Sequence, residues 1–475
     1  MNYHEFLESK AQLSGQYGFD PVFMPPQAFP FQRHLIEWAV RKGRAALFAD
    51  CGLGKTLMQL AWAENVHQHT GGRVLILTPL AVSRQTQSEA EKFGIDAKRS
   101  EEGELESPIV ITNYERLHYF DSKDFAGVVC DESSILKHFG GATQKKVTRF
   151  IGKMKFRLLC TATAAPNDYT ELGTSSEALG ELSNSEMLTM FFRQFDDKGQ
   201  KSELKKQALA EKAEGTKYYQ KLSFRVSQSI GQWRLKNHAI DEFWRWVASW
   251  ARACRKPSDL GFDDDGFSLP PLTVEQHLVE PSAPAEGMLF TIPAFGLSEE
   301  REERKRTLKE RCELVRKLAD HDKPVVVWCH SNSEGDHLEK VIPGAKQIAG
   351  KTSDDDKIEI YRDFAEGRLR VLVIKPKIGA WGLNWQHCSH VITFASHSYE
   401  QYYQSVRRCW RFGQESPVKV DVISTTGEER VVANLDRKSN QAELMFKVLV
   451  EKMNDALRIE KENKLTTKEE LPTWL

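Results

Sequence analysis

The sequence predicts an α/β protein with two parallel-sheet lobes and a helical insertion between them. Short apolar runs alternate with amphipathic helical patterns over about the first 180 residues, and the same alternation returns from about residue 325. Between these segments, from about Ser183, long helical patterns replace the alternation. Strands that are separated by helices build parallel sheets, which leads to two α/β lobes.

In the first lobe, five apolar runs of strand length predict a buried sheet. They span residues 45–48, 74–79, 109–112, 127–130 and 157–161. A helix is predicted over 57–63, directly after the first strand and a glycine-rich turn. We assign residues 1–182 to this lobe.

Residues 183–272 are predicted to form the helical insertion and its linker. Apolar side chains recur at helical spacing from Phe243 to Cys254, which indicates a core-facing stripe with a solvated basic face. A loop with an acidic run and three prolines follows over 257–271.

The second lobe is predicted over residues 273–428. It begins with a charged helix over 298–319, and its strands are expected at 325–328, 370–374, 391–394 and 418–423. Residues 429–475 are predicted to form a C-terminal helical tail.

Composition sets limits on the class of protein. A hydrophobic content of 40% and a charged content of 28% are ordinary for a globular protein, and the net charge of −1 gives no general attraction for nucleic acid. No run reaches transmembrane length, and residues 1–8 lack a signal-peptide pattern. The eight scattered cysteines fit reduced thiols. We therefore expect a cytoplasmic protein without membrane contact.

A phosphate-binding loop is the strongest chemical signal. The pattern AxxxxGKT spans residues 49–56, between the first strand and its helix, and contains Gly52, Gly54, Lys55 and Thr56. The glycines allow the backbone N–H groups to surround phosphate oxygens. Lys55 is then expected to reach the β- and γ-phosphates, and Thr56 to bind Mg²⁺.

An acidic pair follows the apolar strand 127–130. A carboxylate at the end of a strand parallel to the phosphate-loop strand lies where Mg²⁺ must be held, which makes Asp131 the second metal ligand. Glu132 is then expected to orient or deprotonate the attacking water.

Three further segments complete an ordered set of motifs. Thr161-Ala162-Thr163 closes a strand, Lys377–Trp385 carries glycines before Leu383-Asn384, and Gln404–Gln414 matches the pattern QxxxRxxRxGQ. With these motifs the chain resembles the superfamily 2 helicases of DEAD/DEAH-box type, most closely the Swi/Snf-type ATPases and compact bacteriophage helicases. The resemblance implies two RecA-like lobes that bind ATP and Mg²⁺ between them.

The resemblance also implies roles for individual residues. Gln32 would read the adenine edge and favour ATP over GTP, while Thr161, Ala162 and Thr163 would couple the acidic pair to lobe movement. Gln404, Arg408 and Arg411 would act from the second lobe. The two arginines are expected on one helix face, where they stabilise charge on the transferred phosphoryl group.

The nucleic-acid backbone would be held by residues of both lobes. They are Thr78, Pro79, Thr112, Asn113 and Tyr114 in the first lobe, and Gly379, Gly382 and Asn384 in the second. Hydroxyl groups and exposed N–H groups bind phosphate without reading bases, which predicts sequence-tolerant, salt-sensitive binding.

These features predict an ATP-dependent DNA helicase or translocase. Duplex DNA is the preferred track, and single-stranded DNA is an alternative. Replication, recombination or defence proteins are candidate partners by resemblance only. A translocase that does not unwind DNA, an RNA helicase, a binding scaffold with a vestigial ATPase and a small-molecule kinase remain the alternative hypotheses.

Overall fold

The computed structural model describes residues 17–80, 82–137, 141–165, 168–194, 233–280, 297–379 and 384–466. Within these ranges the chain forms two parallel sheets that are flanked by helices, together with a small antiparallel pair. The predicted α/β class with two parallel-sheet lobes is therefore confirmed. Among the helices in these ranges, none combines the length and apolar composition needed to cross a membrane.

The first lobe contains a seven-stranded sheet in the order β3-β4-β2-β5-β6-β1-β9, with every pair parallel. Its strands are β1 Arg44–Ala49, β2 Arg73–Thr78, β3 Ala97–Arg99, β4 Ile109–Asn113, β5 Phe125–Asp131, β6 Phe156–Cys160 and β9 Ala251–Cys254. All five predicted strands are confirmed. Their apolar runs reflect burial on both faces of the sheet.

Helices cover both faces of this sheet. They are α1 Pro30–Lys42, α2 Lys55–Thr70, α3 Ser83–Lys92, α4 Ala142–Ile151, α5 Leu172–Leu179, α6 Asn184–Phe191 and α7 Ile240–Trp250. Strands β7 Phe192–Gln194 and β8 Trp233–Leu235 pair antiparallel outside the main sheet. The predicted helix over 57–63 lies within α2 and is confirmed.

The predicted helical stripe from Phe243 to Cys254 is wrong at its C-terminal end. Helix α7 ends at Trp250, and the next four residues form β9 at the edge of the first sheet. Ala46 of β1 pairs with Ala251, and Ala49 pairs with Cys254. Backbone groups of β1 thereby gain hydrogen-bond partners, and this tertiary pairing overrides the local helical pattern.

The second lobe contains a six-stranded parallel sheet in the order β10-β15-β14-β11-β13-β12. Its strands are β10 Leu272–Val279, β11 Val325–Trp328, β12 Ala345–Ile348, β13 Val371–Ile374, β14 His390–Phe394 and β15 Val418–Thr425. The four strands predicted for this lobe are confirmed. Strand β10 and strand β12 were not predicted.

The helices of the second lobe are α8 Leu297–Arg306, α9 Leu308–Leu318, α10 Asn332–Val341, α11 Asp354–Ala365, α12 Pro376–Gly379, α13 Tyr399–Val406 and α14 Glu429–Thr466. The predicted charged helix is divided at Thr307 into α8 and α9. Helix α14 leaves the second lobe and packs into the core of the first through Met445, Phe446 and Leu449. The two lobes are therefore joined at this helix.

Candidate nucleotide site between the lobes

The phosphate-binding loop connects β1 to α2. Gly52 and Gly54 have φ angles of 89° and 76°, a left-handed conformation that glycine adopts without a side-chain penalty. Lys55 Nζ donates hydrogen bonds to the carbonyl oxygens of Ala49 at 2.9 Å and Asp50 at 3.2 Å. The loop thus curves around its own lysine, which holds a positive charge at the N-terminus of α2.

Gln32 supports this loop from α1. Its Nε2 donates to the Leu53 carbonyl oxygen at 2.9 Å, and its Oε1 accepts from the Phe29 backbone N–H at 2.9 Å. A Cβ atom on Gly54 would lie 2.3 Å from Gln32 Nε2. The side chain therefore lies against the phosphate-binding loop. Its predicted role in reading adenine stays a prediction.

The acidic pair lies at the end of β5, and both residues are buried. Gln59 Nε2 of α2 donates to Asp131 Oδ1 at 2.6 Å, which ties the pair to the phosphate-loop helix. Burial and the neighbouring Glu132 raise the pKa of Asp131 to about 6. Glu132 has a φ of 48°, an uncommon conformation for a residue with a side chain.

The segment after β6 contacts Glu132. Thr161 Oγ1 donates to Glu132 Oε2 at 3.3 Å, and the Thr163 N–H donates to Thr161 Oγ1 at 3.0 Å. Ala162, between them, is buried. A hydrogen bond thus joins this segment to the acidic pair, and the predicted role of the segment in coupling stays a prediction.

The second lobe faces this site through α13 and the turn that follows it. Cys51 Sγ of the phosphate-binding loop donates to Gln404 Oε1 at 3.7 Å. Arg408 donates through Nη2 to the same oxygen at 2.7 Å. The expectation that Arg408 and Arg411 share a helix face is wrong, because α13 ends at Val406 and both arginines lie in the following turns.

Arg411 and Phe412 lie directly against the phosphate-binding loop. A Cβ atom on Gly52 would lie 2.8 Å from the Phe412 backbone nitrogen and 3.5 Å from Arg411 Cβ. Burial, and then the neighbouring Arg408, lower the pKa of Arg411. Desolvation and like-charge repulsion therefore act together on this guanidinium, and an anion between the lobes would relieve both.

Arg407 also contacts the loop, although no role was predicted for it. Its Nη2 donates to Asp50 Oδ2 at 2.6 Å and to the Cys51 carbonyl oxygen at 3.0 Å. Tyr403 OH donates to Asp50 Oδ1. The signal in the sequence was only an additional arginine beside the matched motif, which spacing alone did not distinguish.

The residues of this site fit a nucleotide that carries a divalent cation. The carboxylate of Asp131 and the hydroxyl of Thr56 are the hard oxygen ligands that Mg²⁺ prefers. Within the described part of the chain, the buried hydroxyls of Ser133, Ser134 and Thr163 have no hydrogen-bond partner. Buried polar atoms of this kind indicate a site for polar atoms beside Glu132.

A second group of potential metal ligands lies in the other lobe. Oxygen and nitrogen atoms of Glu275, His277 and Asp421 lie within 4.8 Å of one another. Lys419 Nζ lies 2.9 Å from Glu275 Oε2 and 3.2 Å from Asp421 Oδ1. A cationic side chain of the protein therefore already neutralises these carboxylates.

The first-lobe residues predicted to bind nucleic acid are mostly buried. Thr78 Oγ1 donates to the Thr112 carbonyl oxygen at 3.4 Å, and Asn113 Oδ1 accepts from the Arg116 N–H at 3.1 Å. Tyr114 OH donates to the Asp131 carbonyl oxygen at 2.6 Å. These side chains support the edge of the sheet. Pro79 is only partly buried.

The second-lobe residues of that prediction divide into three cases. Gly379 is packed, since an added Cβ atom would lie 2.4 Å from Ile374 Cδ1. Asn384 is exposed. Gly382 lies outside the described residues. A nucleic-acid contact at any of the three stays a prediction.

Comparisons with known proteins found a family model, curated relatives and a solved structure that are similar to this chain. Residues 307–413 match the family model of the helicase conserved C-terminal domain. Over 94 residues the chain is 34% identical to the bifunctional helicase and thymine dioxygenase JBP2 of Leishmania tarentolae. The same protein of Leishmania infantum matches equally. The match covers 19% of this chain and only 9% of either relative.

Among solved structures, the Sulfolobus solfataricus SWI2/SNF2 ATPase core in complex with double-stranded DNA is similar at a TM-score of 0.40 and 16% identity. The similarity covers 91% of this chain and 96% of that one. The matched family segment includes the turn that carries Arg408 and Arg411 to the phosphate-binding loop. The segment that matches the helicase conserved C-terminal domain therefore lies in the second lobe, on the side of the candidate site opposite the phosphate-binding loop.

Proposed function

We propose that the protein is an ATP-dependent DNA helicase or translocase, in which ATP hydrolysis in the interlobe cleft drives movement along DNA. One observation carries the proposal. The phosphate-binding loop of the first lobe, beside a buried acidic pair, lies in contact with an arginine-rich turn of the second lobe. Hydrolysis that requires both lobes can be coupled to their relative movement.

The proposed chemistry is assigned to this chain's own residues. Lys55 would bind the β- and γ-phosphates of ATP, and Glu132 would orient the attacking water and accept its proton. Arg408 and Arg411 would stabilise the charge that develops on the transferred phosphoryl group. Thr56 and Asp131 would hold Mg²⁺, which when bound neutralises phosphate charge.

DNA as the track is supported by the sequence motifs shared with Swi/Snf-type ATPases. Because the net charge is −1, the contacts would depend on local basic groups that bind phosphate, and binding should weaken strongly with added salt. Duplex DNA is the preferred substrate under this proposal.

The test is ATP hydrolysis at low salt, without nucleic acid and with duplex DNA, single-stranded DNA or RNA. Stimulation by duplex DNA that is lost in Lys55→Ala would support the proposal, and a strand-displacement assay would then separate a helicase from a translocase. Stimulation by RNA alone would favour an RNA helicase. Slow hydrolysis that does not depend on Lys55, with any of these nucleic acids, would favour a binding scaffold.

A further inference from the structure

The second lobe holds the phosphate-binding loop through a cluster of three side chains, two of them buried and Tyr403 partly buried. We call Asp50, Tyr403 and Arg407 the interlobe clamp. Asp50 belongs to the first lobe, and it accepts hydrogen bonds from both other members, at Oδ1 from Tyr403 and at Oδ2 from Arg407. The clamp therefore joins the lobes at the loop that would bind phosphate.

Burial makes the contact between Asp50 and Arg407 strong. The side chain of Arg407 is 2% exposed and that of Asp50 is 10% exposed. Burial alone would lower the pKa of Arg407, but the carboxylate of Asp50 raises it above its ordinary value. The guanidinium therefore stays charged. Removing either partner of a buried pair leaves the other charge uncompensated, which is strongly unfavourable.

The clamp fixes both the side chain and the backbone of the loop. Asp50 Oδ1 accepts from the Cys51 N–H at 2.6 Å, while Arg407 also donates to the Cys51 carbonyl oxygen. From the other side, the Asp50 N–H donates to the Cys254 carbonyl oxygen at 2.9 Å. If the second lobe moved away, the loop would keep the contact to Cys254 and lose those to Tyr403 and Arg407.

We infer that Arg407 is a positioning residue for ATP hydrolysis: acting through Asp50, it orders the phosphate-binding loop only when the two lobes are closed. The inference rests on the proposed ATPase function and adds a route by which lobe position controls that site. Arg408 and Arg411 would act on the phosphoryl group itself, whereas Arg407 acts on the loop.

A double-mutant cycle tests this assignment. Arg407→Gln and Asp50→Asn are each expected to lower kcat/KM for ATP about 10- to 100-fold, since each leaves a buried charge unpaired. The double variant should lose no more activity than the less impaired of the two single variants, because both substitutions break the same contact. Arg407→Lys should recover part of the activity in the native background and none in the Asp50→Asn background.

A second readout does not depend on activity. Amide hydrogen exchange of residues 50–54, measured on the full chain without nucleotide, should accelerate in both single variants. The matched control is Glu400→Gln, which breaks another interlobe ion pair, that of Lys137 with Glu400. It should leave loop exchange unchanged and lower kcat/KM less than Arg407→Gln does, because Glu400 pairs with Lys137 and not with the phosphate-binding loop.

The outcomes separate the two proposals. Independent, multiplicative losses in the double variant would overturn the inference and indicate that Arg407 contacts the nucleotide directly. If Glu400→Gln changed loop exchange and kcat/KM as much as Arg407→Gln does, the inference would be overturned. The effect would then reflect general contact between the lobes. Hydrolysis in the wild-type protein that is indifferent to Lys55→Ala would overturn the proposed function itself, and the inference with it.

Discussion

A tight contact between the lobes predicts an unusual sensitivity at Gly52. In Gly52→Ala the new Cβ atom would lie 2.8 Å from the Phe412 backbone nitrogen and 3.0 Å from Phe412 Cβ. Relaxed contacts between heavy atoms lie at about 3.5–4.0 Å, which makes the approach too close by about 0.5 Å or more. Overpacking of this kind costs roughly 1–3 kcal/mol, and the positive φ of 89° adds roughly 1–2 kcal/mol.

Two other glycines isolate the part that belongs to the lobe contact. Gly71 also has a positive φ, of 68°, but no atom lies within 4 Å of its added Cβ. Gly71→Ala should therefore show only the backbone cost. Gly54→Ala changes the same loop as Gly52, with its close contact to Gln32 inside the first lobe. The remaining cost of roughly 1–3 kcal/mol in Gly52→Ala opposes lobe closure. It corresponds to roughly a 5- to 150-fold loss of kcat/KM for ATP.

The assay compares DNA-stimulated kcat/KM for ATP with the free energy of unfolding in urea for all three variants. We expect Gly52→Ala and Gly71→Ala to be similarly destabilised, with a much larger loss of activity in Gly52→Ala. An activity of Gly52→Ala equal to that of Gly71→Ala would refute the argument from lobe contact. Gly54→Ala is expected to lose activity as well, through its close contact with Gln32 inside the first lobe.

Further predictions concern two buried carboxylates. Arg311 lowers the pKa of Glu334 to about 2, against the desolvation that raises it, from an ordinary value of 4.5. Since the pKa is lower in the folded protein, this stability is present above pH 4.5 and is lost as the pH falls toward 2. Glu334→Gln should cost about 3 kcal/mol at pH 7, measured by urea unfolding, and should remove this acid dependence. Glu313→Gln, at an exposed pair, should cost less than about 1 kcal/mol. Gln59→Leu should raise the pKa of Asp131 further above its value of about 6, because the hydrogen bond that is lost stabilises the charged carboxylate. The acidic limb of kcat/KM against pH should then move to higher pH, and an unchanged limb would contradict this assignment.

Much of the sheet architecture could be predicted because parallel strands are buried on both faces. The runs that became β1, β5 and β11 are short, apolar and followed by turns or helices, a pattern with few alternatives. Strand β9 could not be predicted in this way. Its Arg252 is buried against the ring of Trp38, 4.2 Å from guanidinium carbon to ring centroid, and that contact depends on the tertiary structure.

The candidate site was predicted where chemistry follows from chain order. Lys55 and Asp131 follow two strands of one parallel sheet, which brings them to the same edge. The prediction that Arg408 and Arg411 share a helix face was wrong, because α13 ends at Val406 and the turns that follow it position both arginines. Arg407 was missed because its partner, Asp50, lies 357 residues away in the chain.

The arrangement of charge explains why nucleotide binding and lobe position should be linked. Asp50 neutralises Arg407 in the clamp, and Arg408 lies close enough to Arg411 to lower its pKa. A phosphate anion between the lobes would relieve that repulsion, but only where the turn and the phosphate-binding loop are in contact. An anion that binds one arrangement of the lobes more tightly must shift the population toward it. Loss of the γ-phosphate would remove part of that preference and favour separation of the lobes. Separation would break the contact between Arg407 and Asp50, and the phosphate-binding loop would then be released.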